Sequence, residues 1–223
     1  MTSDEFQGLL LRDVDGAITA TVETLQTSDL PDGDVTVRVE YSDINYKDGM
    51  AITGIGHRRI AQFFPFIPGI DFAGVVEDSR STRFAPGDRV VLTGWGVGEK
   101  WWGGHAQKAR VKAEWLVPLP DDMTTRTAMA LGTAGFTAMF CVDALDRHGI
   151  DRSREVLVTG AAGGVGSVSV MLLKRLGYRV VASTGRAEEE DYLRGLGAES
   201  VIARSELSEP SQPLLPERWK GRD

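Results

Sequence analysis

Thr159-Gly160-Ala161-Ala162-Gly163-Gly164-Val165-Gly166 is the stretch on which the reading of this chain turns. Before it, Glu155-Val156-Leu157-Val158-Thr159 has the length and β-branched content of a short buried strand. After it, residues 167–176 form an apolar helix that Gly177 can close. Glycine lets the strand turn tightly, lets backbone N–H groups reach a pyrophosphate with no Cβ in the way, and lets the helix pack closely on the sheet. The helix N-terminus adds unpaired N–H donors and a dipole that favour an anion. Such turns also serve plain packing. Here the flanking strand and helix, with a second strand at the right distance, make it a dinucleotide site.

Downstream the alternation continues. Tyr178-Arg179-Val180-Val181-Ala182-Ser183 reads as the second strand, and Ala187-Glu188-Glu189-Glu190-Asp191 opens a helix with its acids at the positive end of the dipole. Gly197 ends that helix, and Ser200-Val201-Ile202-Ala203 is a third strand. This βαβαβ order is half of a doubly wound sheet. A complete dinucleotide fold adds three more strands, so the chain is expected to stop partway through that domain, with its third strand as an edge. The segment Ser208-Glu209-Pro210-Ser211-Gln212-Pro213-Leu214-Leu215-Pro216 reads as a proline-spaced surface tail. An NAD site places Asp or Glu at the end of the second strand, but this chain has Ser183-Thr184-Gly185-Arg186. Two hydroxyls, a glycine and a guanidinium suit the extra phosphate of NADP. Arg186 is read as a ligand of that phosphate; Arg204 is open between a second cation and solvated surface.

Upstream the grammar differs. Val35, Val37, Val39 and Tyr41 alternate with polar residues after the turn Leu30-Pro31-Asp32-Gly33. Further strand-like runs start at Phe72, at Arg89 after the turn Ala85-Pro86-Gly87-Asp88, and at Trp115. Many short strands at this spacing indicate a compact barrel or sandwich. Residues 125–146 favour helix, interrupted by Gly132 and Gly135, which mark either a close backbone approach or two helices at a tight turn. The expected organisation is an all-β domain over 1–124 and a partial α/β domain over 125–223.

With a formal charge of −7, the chain lacks the basic surface that nucleic acid requires. The acidic N-terminus is unlike a secretory signal, and no run of about 18 apolar residues suggests a membrane span. A cytoplasmic protein is expected. Cys141, the single cysteine, lies in the apolar run Ala138-Met139-Phe140-Cys141-Val142 and is expected to be buried and inert. One cysteine and three histidines, His57, His105 and His148, provide no zinc-ligand spacing. No metal is expected, and each histidine reads as a surface or turn residue.

Pro68-Gly69-Ile70-Asp71-Phe72-Ala73-Gly74-Val75-Val76, Pro86-Gly87-Asp88-Arg89-Val90, Gly103-Gly104-His105-Ala106-Gln107 and the glycine turn, in this order, resemble the medium-chain dehydrogenase/reductases. That resemblance implies a GroES-like barrel followed by a Rossmann domain. Leu92-Thr93-Gly94-Trp95-Gly96-Val97-Gly98-Glu99, Ile44-Asn45-Tyr46-Lys47-Asp48 and residues 131–139 are similar to the zinc-free acrylyl-CoA reductase subgroup. The resemblance implies NADPH as cofactor and an acryloyl-CoA-like small molecule as substrate. Gly163, Gly164, Val165 and Gly166 would hold the pyrophosphate, and Thr184, Gly185, Arg186 and Arg204 the adenosine phosphate end. Asn45, Tyr46 and Asp48 would line the nicotinamide and substrate region, with Thr133 beside the nicotinamide. Tyr46 would donate to the enolate oxygen, Asn45 would orient and Asp48 would position; Tyr46 also reads as a barrel-edge aromatic. Members of the family commonly dimerise through the Rossmann sheet edge, which this chain lacks, so the resemblance leaves a homodimer open. Two other readings stand beside this one: an NADPH:quinone oxidoreductase, and a truncated, non-catalytic nucleotide-binding protein.

Overall fold

The computed structural model describes residues 4–55, 60, 61 and 63–207, so His57 and the segment from Ser208 lie outside the described residues. The chain divides into two compact units, Met1–Thr133 and Ala134–Asp223.

The first unit is built on strands. β1 (Glu5–Val14) and β2 (Ala17–Gln26) pair antiparallel about Asp15-Gly16, both with positive φ. That is the Asp-Gly chemistry of a two-residue hairpin. This hairpin escapes periodicity because β2 is mostly exposed and shows no clean alternation. β3 (Val35–Ser42), β4 (Asp71–Ser79), β5 (Arg89–Thr93), β6 (Lys108–Val111) and β7 (Val117–Pro118) form one sheet in the order β6-β3-β4-β5-β7. Its core holds Val35, Val37, Phe72, Val76, Val90, Leu92 and Trp115. The alternation of β3 fails at its end: Tyr41 is exposed, where a register shift between Val39 and Tyr41 turns the strand. The strand expected from Trp115 shrinks to two residues, because Ala113–Trp115 take a 3₁₀ turn first. The short helix α1 (Tyr46–Thr53) has no strong periodic signal. It is started by Asp48, whose Oδ2 accepts the Asn45 N–H at 2.7 Å, and stopped by Gly54 in the left-handed region.

α2 (Thr125–Arg147) belongs to both units by sequence, and its backbone leaves helical geometry at Gly132 (φ 50°, ψ −157°). Residues before the break pack in the first unit: Ala128 and Met129 join Ala73 and Leu119, and Thr125 Oγ1 donates to Glu40 Oε2 at 2.7 Å. The boundary therefore falls at 133/134, not at 124/125. α2 is 23 residues long and holds an 18-residue stretch apolar enough to cross a membrane, which the count of uninterrupted apolar residues does not suggest. Its apolar side chains supply Ala128 and Met129 to one core and Val142 to the other.

In the second unit β8 (Glu155–Thr159), β9 (Arg179–Thr184) and β10 (Ser200–Ala203) make a parallel sheet in the order β10-β9-β8. They are connected by α3 (Gly164–Arg175) and α4 (Glu190–Leu196). Val142, Val158, Val170, Leu173, Val180 and Leu193 fill its core. Tyr178 closes one end, its hydroxyl donating to Asp146 Oδ1 at 2.8 Å. Two expectations fail here. β8 is buried on one face only: Val156 and Val158 turn to the core, while Leu157 on the opposite face is 46% exposed. Cys141 is exposed: Ala138 and Val142 turn inward on α2, while Met139, Phe140 and Cys141 turn out.

Candidate functional site

The phosphate-binding half is made by the backbone. Strand β8 ends at Thr159, Gly160 turns with φ 60°, and Gly163 N–H donates to the Gly160 carbonyl at 2.9 Å. α3 then starts with Gly163, Gly164 and Val165 exposed. The first N–H groups of a helix have no acceptor within it, so this turn offers donors and a positive dipole end to an anion. Gly166 faces the opposite way. A Cβ there would collide with the Gly160 carbonyl oxygen and lie 2.7 Å from Ala161 Cα, so only glycine lets the helix seat on the turn. Ser167 Oγ donates to the Ala161 carbonyl at 3.2 Å and ties the two together.

Beside the ends of β9 and β10 lies a cleft of about 560 Å³, lined by Thr184, Gly185, Ala187, Glu190, Ile202 and Arg204 among others. Thr184 is buried, and its Oγ1 accepts the Arg186 N–H at 3.1 Å. Arg186 reaches back to the glycine turn, Nη2 donating to the Ala162 carbonyl at 3.2 Å, and pairs with Glu189 at 3.3 Å. Gly185 leaves room for the Arg204 guanidinium, which a Cβ would approach to 3.0 Å. The structure thus brings Thr184, Gly185 and Arg204 to one cleft and sets Arg186 between its rim and the glycine turn.

The first unit carries a different cluster, centred on Asp71 at the start of β4. This carboxylate is fully buried. Its Oδ2 accepts the Thr133 N–H at 2.8 Å and the Thr133 hydroxyl at 2.6 Å, while Asn45 Nδ2 donates to Oδ1 and Oδ2 at 3.1 and 3.2 Å. Asp48, also buried, accepts the N–H groups of Asn45 and Ile70, and the His105 Nε2 lies 3.7 Å away. His105 Nδ1 is 3.2 Å from Ser42 Oγ. His105 is therefore part of this cluster and not a plain turn residue. Asp43 is the third carboxylate: partial burial pushes its pKa up, with repulsion from Asp71 and Asp48 adding to the shift. The helix break explains the proximity, since a Cβ on Gly132 would lie 2.7 Å from Asp43 Oδ2 and 3.2 Å from Asp71 Oδ2. The close approach and the two-helix reading of this glycine both hold.

Asn45, Asp48 and Thr133 are thereby drawn together. Tyr46 is not part of the network: it is the first residue of α1, on a helix and not a barrel edge, and its side chain is 85% exposed. The motifs around Pro68 and Gly104 meet as backbone, with Gly104 N–H donating to the Gly69 carbonyl at 2.9 Å and His105 N–H to the Pro68 carbonyl at 3.0 Å. Among the described residues no group of His, Cys, Asp and Glu is placed to hold a metal ion.

Residues 31–121 match the family model of the alcohol dehydrogenase GroES-like domain. An acrylyl-CoA reductase of Ruegeria pomeroyi is 56% identical over 208 residues, 92% of this chain and 62% of that protein. The crystal structure of the YhdH oxidoreductase of Salmonella enterica in complex with NADP superposes with a TM-score of 0.89 at 54% identity, covering 94% of this chain and 64% of that one. The chain belongs to the medium-chain dehydrogenase/reductase superfamily. The YhfP protein of Bacillus subtilis, solved with NAD bound and carrying a provisional quinone oxidoreductase name, matches at TM-score 0.89 and 43% identity over 96% of this chain and 64% of that one. The chain thus spans less than two thirds of these relatives' length. Within this superfamily frame the barrel unit is the GroES-like domain and the βαβαβ unit is part of a Rossmann domain. Asp71 lies inside the motif that begins at Pro68, yet the motif alone does not mark it as a site residue. The signal was there: a carboxylate between Ile70 and Phe72 in an otherwise apolar strand start must be hydrogen-bonded or it would not be buried.

Proposed function

We propose that this chain represents an NADPH-dependent, zinc-independent reductase of an activated carbon–carbon double bond, with acryloyl-CoA or a similar enoyl thioester as the substrate class. The observation that carries the reading is the paired construction at the end of β9. A glycine turn presents helix N–H donors, Arg186 follows β9 where an NAD site would place an acid and reaches back to that turn, and Arg204 lines the adjoining cleft. The likeness to the Ruegeria pomeroyi acrylyl-CoA reductase supports the substrate class.

Gly163, Gly164, Val165 and Gly166 would hold the pyrophosphate, and Thr184, Gly185, Arg186 and Arg204 the adenosine end. Asn45, Asp48 and Thr133 would stand at the nicotinamide end. When bound, NADPH supplies the hydride that reaches the β-carbon. Negative charge then develops on the thioester oxygen, where a hydrogen-bond donor lowers the barrier. Tyr46, with its phenol in solvent, is the donor of choice, and a proton reaching the α-carbon completes the reduction. Zinc independence is supported by the ligand supply: the single cysteine, Cys141, lies exposed on α2, and one cysteine with three histidines makes no zinc-ligand cluster. The provisional name of the Bacillus subtilis relative supports a second reading, in which a quinone takes the electrons.

Calorimetric titration of the 223-residue chain with NADPH and NADH tests the cofactor. Preference for NADPH that falls about ten- to a hundredfold in Arg186→Gln is expected, from loss of one charge-assisted, bidentate contact. Equal binding of both cofactors, or binding of neither, overturns it. Initial rates with acryloyl-CoA and with a benzoquinone at fixed NADPH then separate the two acceptors.

A further inference from the structure

Asp71 holds two residues of the proposed nicotinamide end. The carboxylate is fully buried, and its two oxygens accept the Asn45 side-chain amide, the Thr133 N–H and the Thr133 hydroxyl. The orientation of the Asn45 amide follows from charge. Turning it over would set Asn45 Oδ1 against two carboxylate oxygens at 3.1 and 3.2 Å, a contact between acceptors with no hydrogen between them. Asn45 Oδ1 is therefore directed away from Asp71. The Thr133 hydroxyl hydrogen is committed to Asp71 at 2.6 Å, so its oxygen can act toward any other group only as an acceptor.

We propose that Asp71 is a positioning residue, whose carboxylate sets the hydrogen-bond polarity of Asn45 and Thr133 so that both offer acceptor oxygens to the bound ligands. The inference rests on the reading of Asn45 and Thr133 as nicotinamide-end residues and deepens it. A group facing these two oxygens must be a donor, an amide N–H or a hydroxyl. An enolate oxygen is repelled by them and has to find its donor elsewhere, which agrees with Tyr46 in that role.

Asp71→Asn keeps the shape and removes the charge. The new amide can accept from Thr133 only by turning its NH2 toward Asn45, which then has to flip and present its own NH2 outward. With acryloyl-CoA as acceptor, kcat is expected to fall about ten- to a hundredfold, the size of effect that misplacing a positioned group produces. KM for NADPH should stay within about twofold, because the phosphate ligands belong to β9, β10 and the glycine turn. In an Asn45→Ala background the same replacement should cost no more than about twofold, since it acts through the side chain already removed. Unchanged kcat in D71N, or the same loss in both backgrounds, overturns the inference. If circular dichroism shows D71N to be unfolded, Thr133→Val carries the test, because it removes one donor and leaves the carboxylate. A fall in kcat at constant KM is expected there, and an unchanged kcat overturns. The side-chain amide resonances of Asn45 distinguish failure of this inference from failure of the functional reading. They should shift on D71N even in a chain with no turnover, and resonances that do not move overturn the assignment by themselves.

Discussion

Asp43, Asp48 and Asp71 stand close together, but their surroundings treat them differently. Asp48 and Asp71 each accept several N–H or O–H donors, whereas Asp43 Oδ1 accepts the Ile44 N–H at 2.7 Å and the side chain is only partly buried. Burial first, then the two neighbouring carboxylates, raises the Asp43 pKa above its ordinary value, against the opposing pull of the Ile44 N–H and of His105. The folded chain thus binds this proton more tightly than the unfolded chain does. Stability from Asp43 is then fully present below the unfolded pKa and is lost as the pH rises through the folded value. Asp43→Asn, which keeps an acceptor for Ile44, is expected to raise the urea midpoint at pH 7, and the gain should shrink as the pH approaches about 4. An equal gain at both pH values would mean that the charge of Asp43 is not the cause. None of this was legible in the sequence. The residues of the cluster lie 26 and 62 positions from one another, and no local pattern joins Asn45 to Asp71 or Asp71 to Thr133.

α2 is the element in which local and long-range demands conflict. Its apolar composition favours helix on both sides of Gly132, and at Gly132 the backbone takes φ 50° and ψ −157°, a region that only glycine populates readily. A β-carbon would add strain of about 1–3 kcal/mol and would also press on the carboxylates of Asp43 and Asp71. Gly132→Ala should therefore lower the urea midpoint, while Gly149→Ala, where a Cβ meets nothing within 4 Å, serves as a control for backbone strain alone. A Gly132 variant as stable as the parent would show that the break is not required. The same helix explains the wrong expectation for Cys141. The apolar neighbours of Cys141 in sequence suggest a buried thiol, but a helix turns only one stripe inward, and Cys141 lies off it beside the exposed Phe140. One thiol per chain should react with Ellman's reagent without denaturant, at a rate close to that in urea. Protection until unfolding would contradict the placement.

At the scale of the whole molecule the two units differ in how completely their strands are covered. β4 is buried along most of its length between β3 and β5, whereas β8 has one buried residue, Val158, and lies at a sheet edge. Amide hydrogen exchange should therefore be slowest in β3 and β4 and faster in β8 and β10, with NADPH slowing exchange in the glycine turn and β9. Equal protection of β8 and β4 would show that the second unit is as stable as the barrel. The motifs of the sequence carry the resemblance that implied the GroES-like and partial Rossmann architecture. The sequence by itself determined the strand–glycine-turn–helix order, the third strand to the residue and the place of Arg186 after β9. Each of these is encoded by side-chain period and backbone permissiveness within a dozen consecutive residues. Only the tertiary structure decided that Asp71 joins Asn45 to Thr133, that His105 lies beside Asp48, that Tyr46 opens a helix and that Cys141 and Leu157 face outward. Those outcomes depend on which distant segment covers a given face, and burial of a charge or of an apolar surface is settled by the neighbour that folding brings to it.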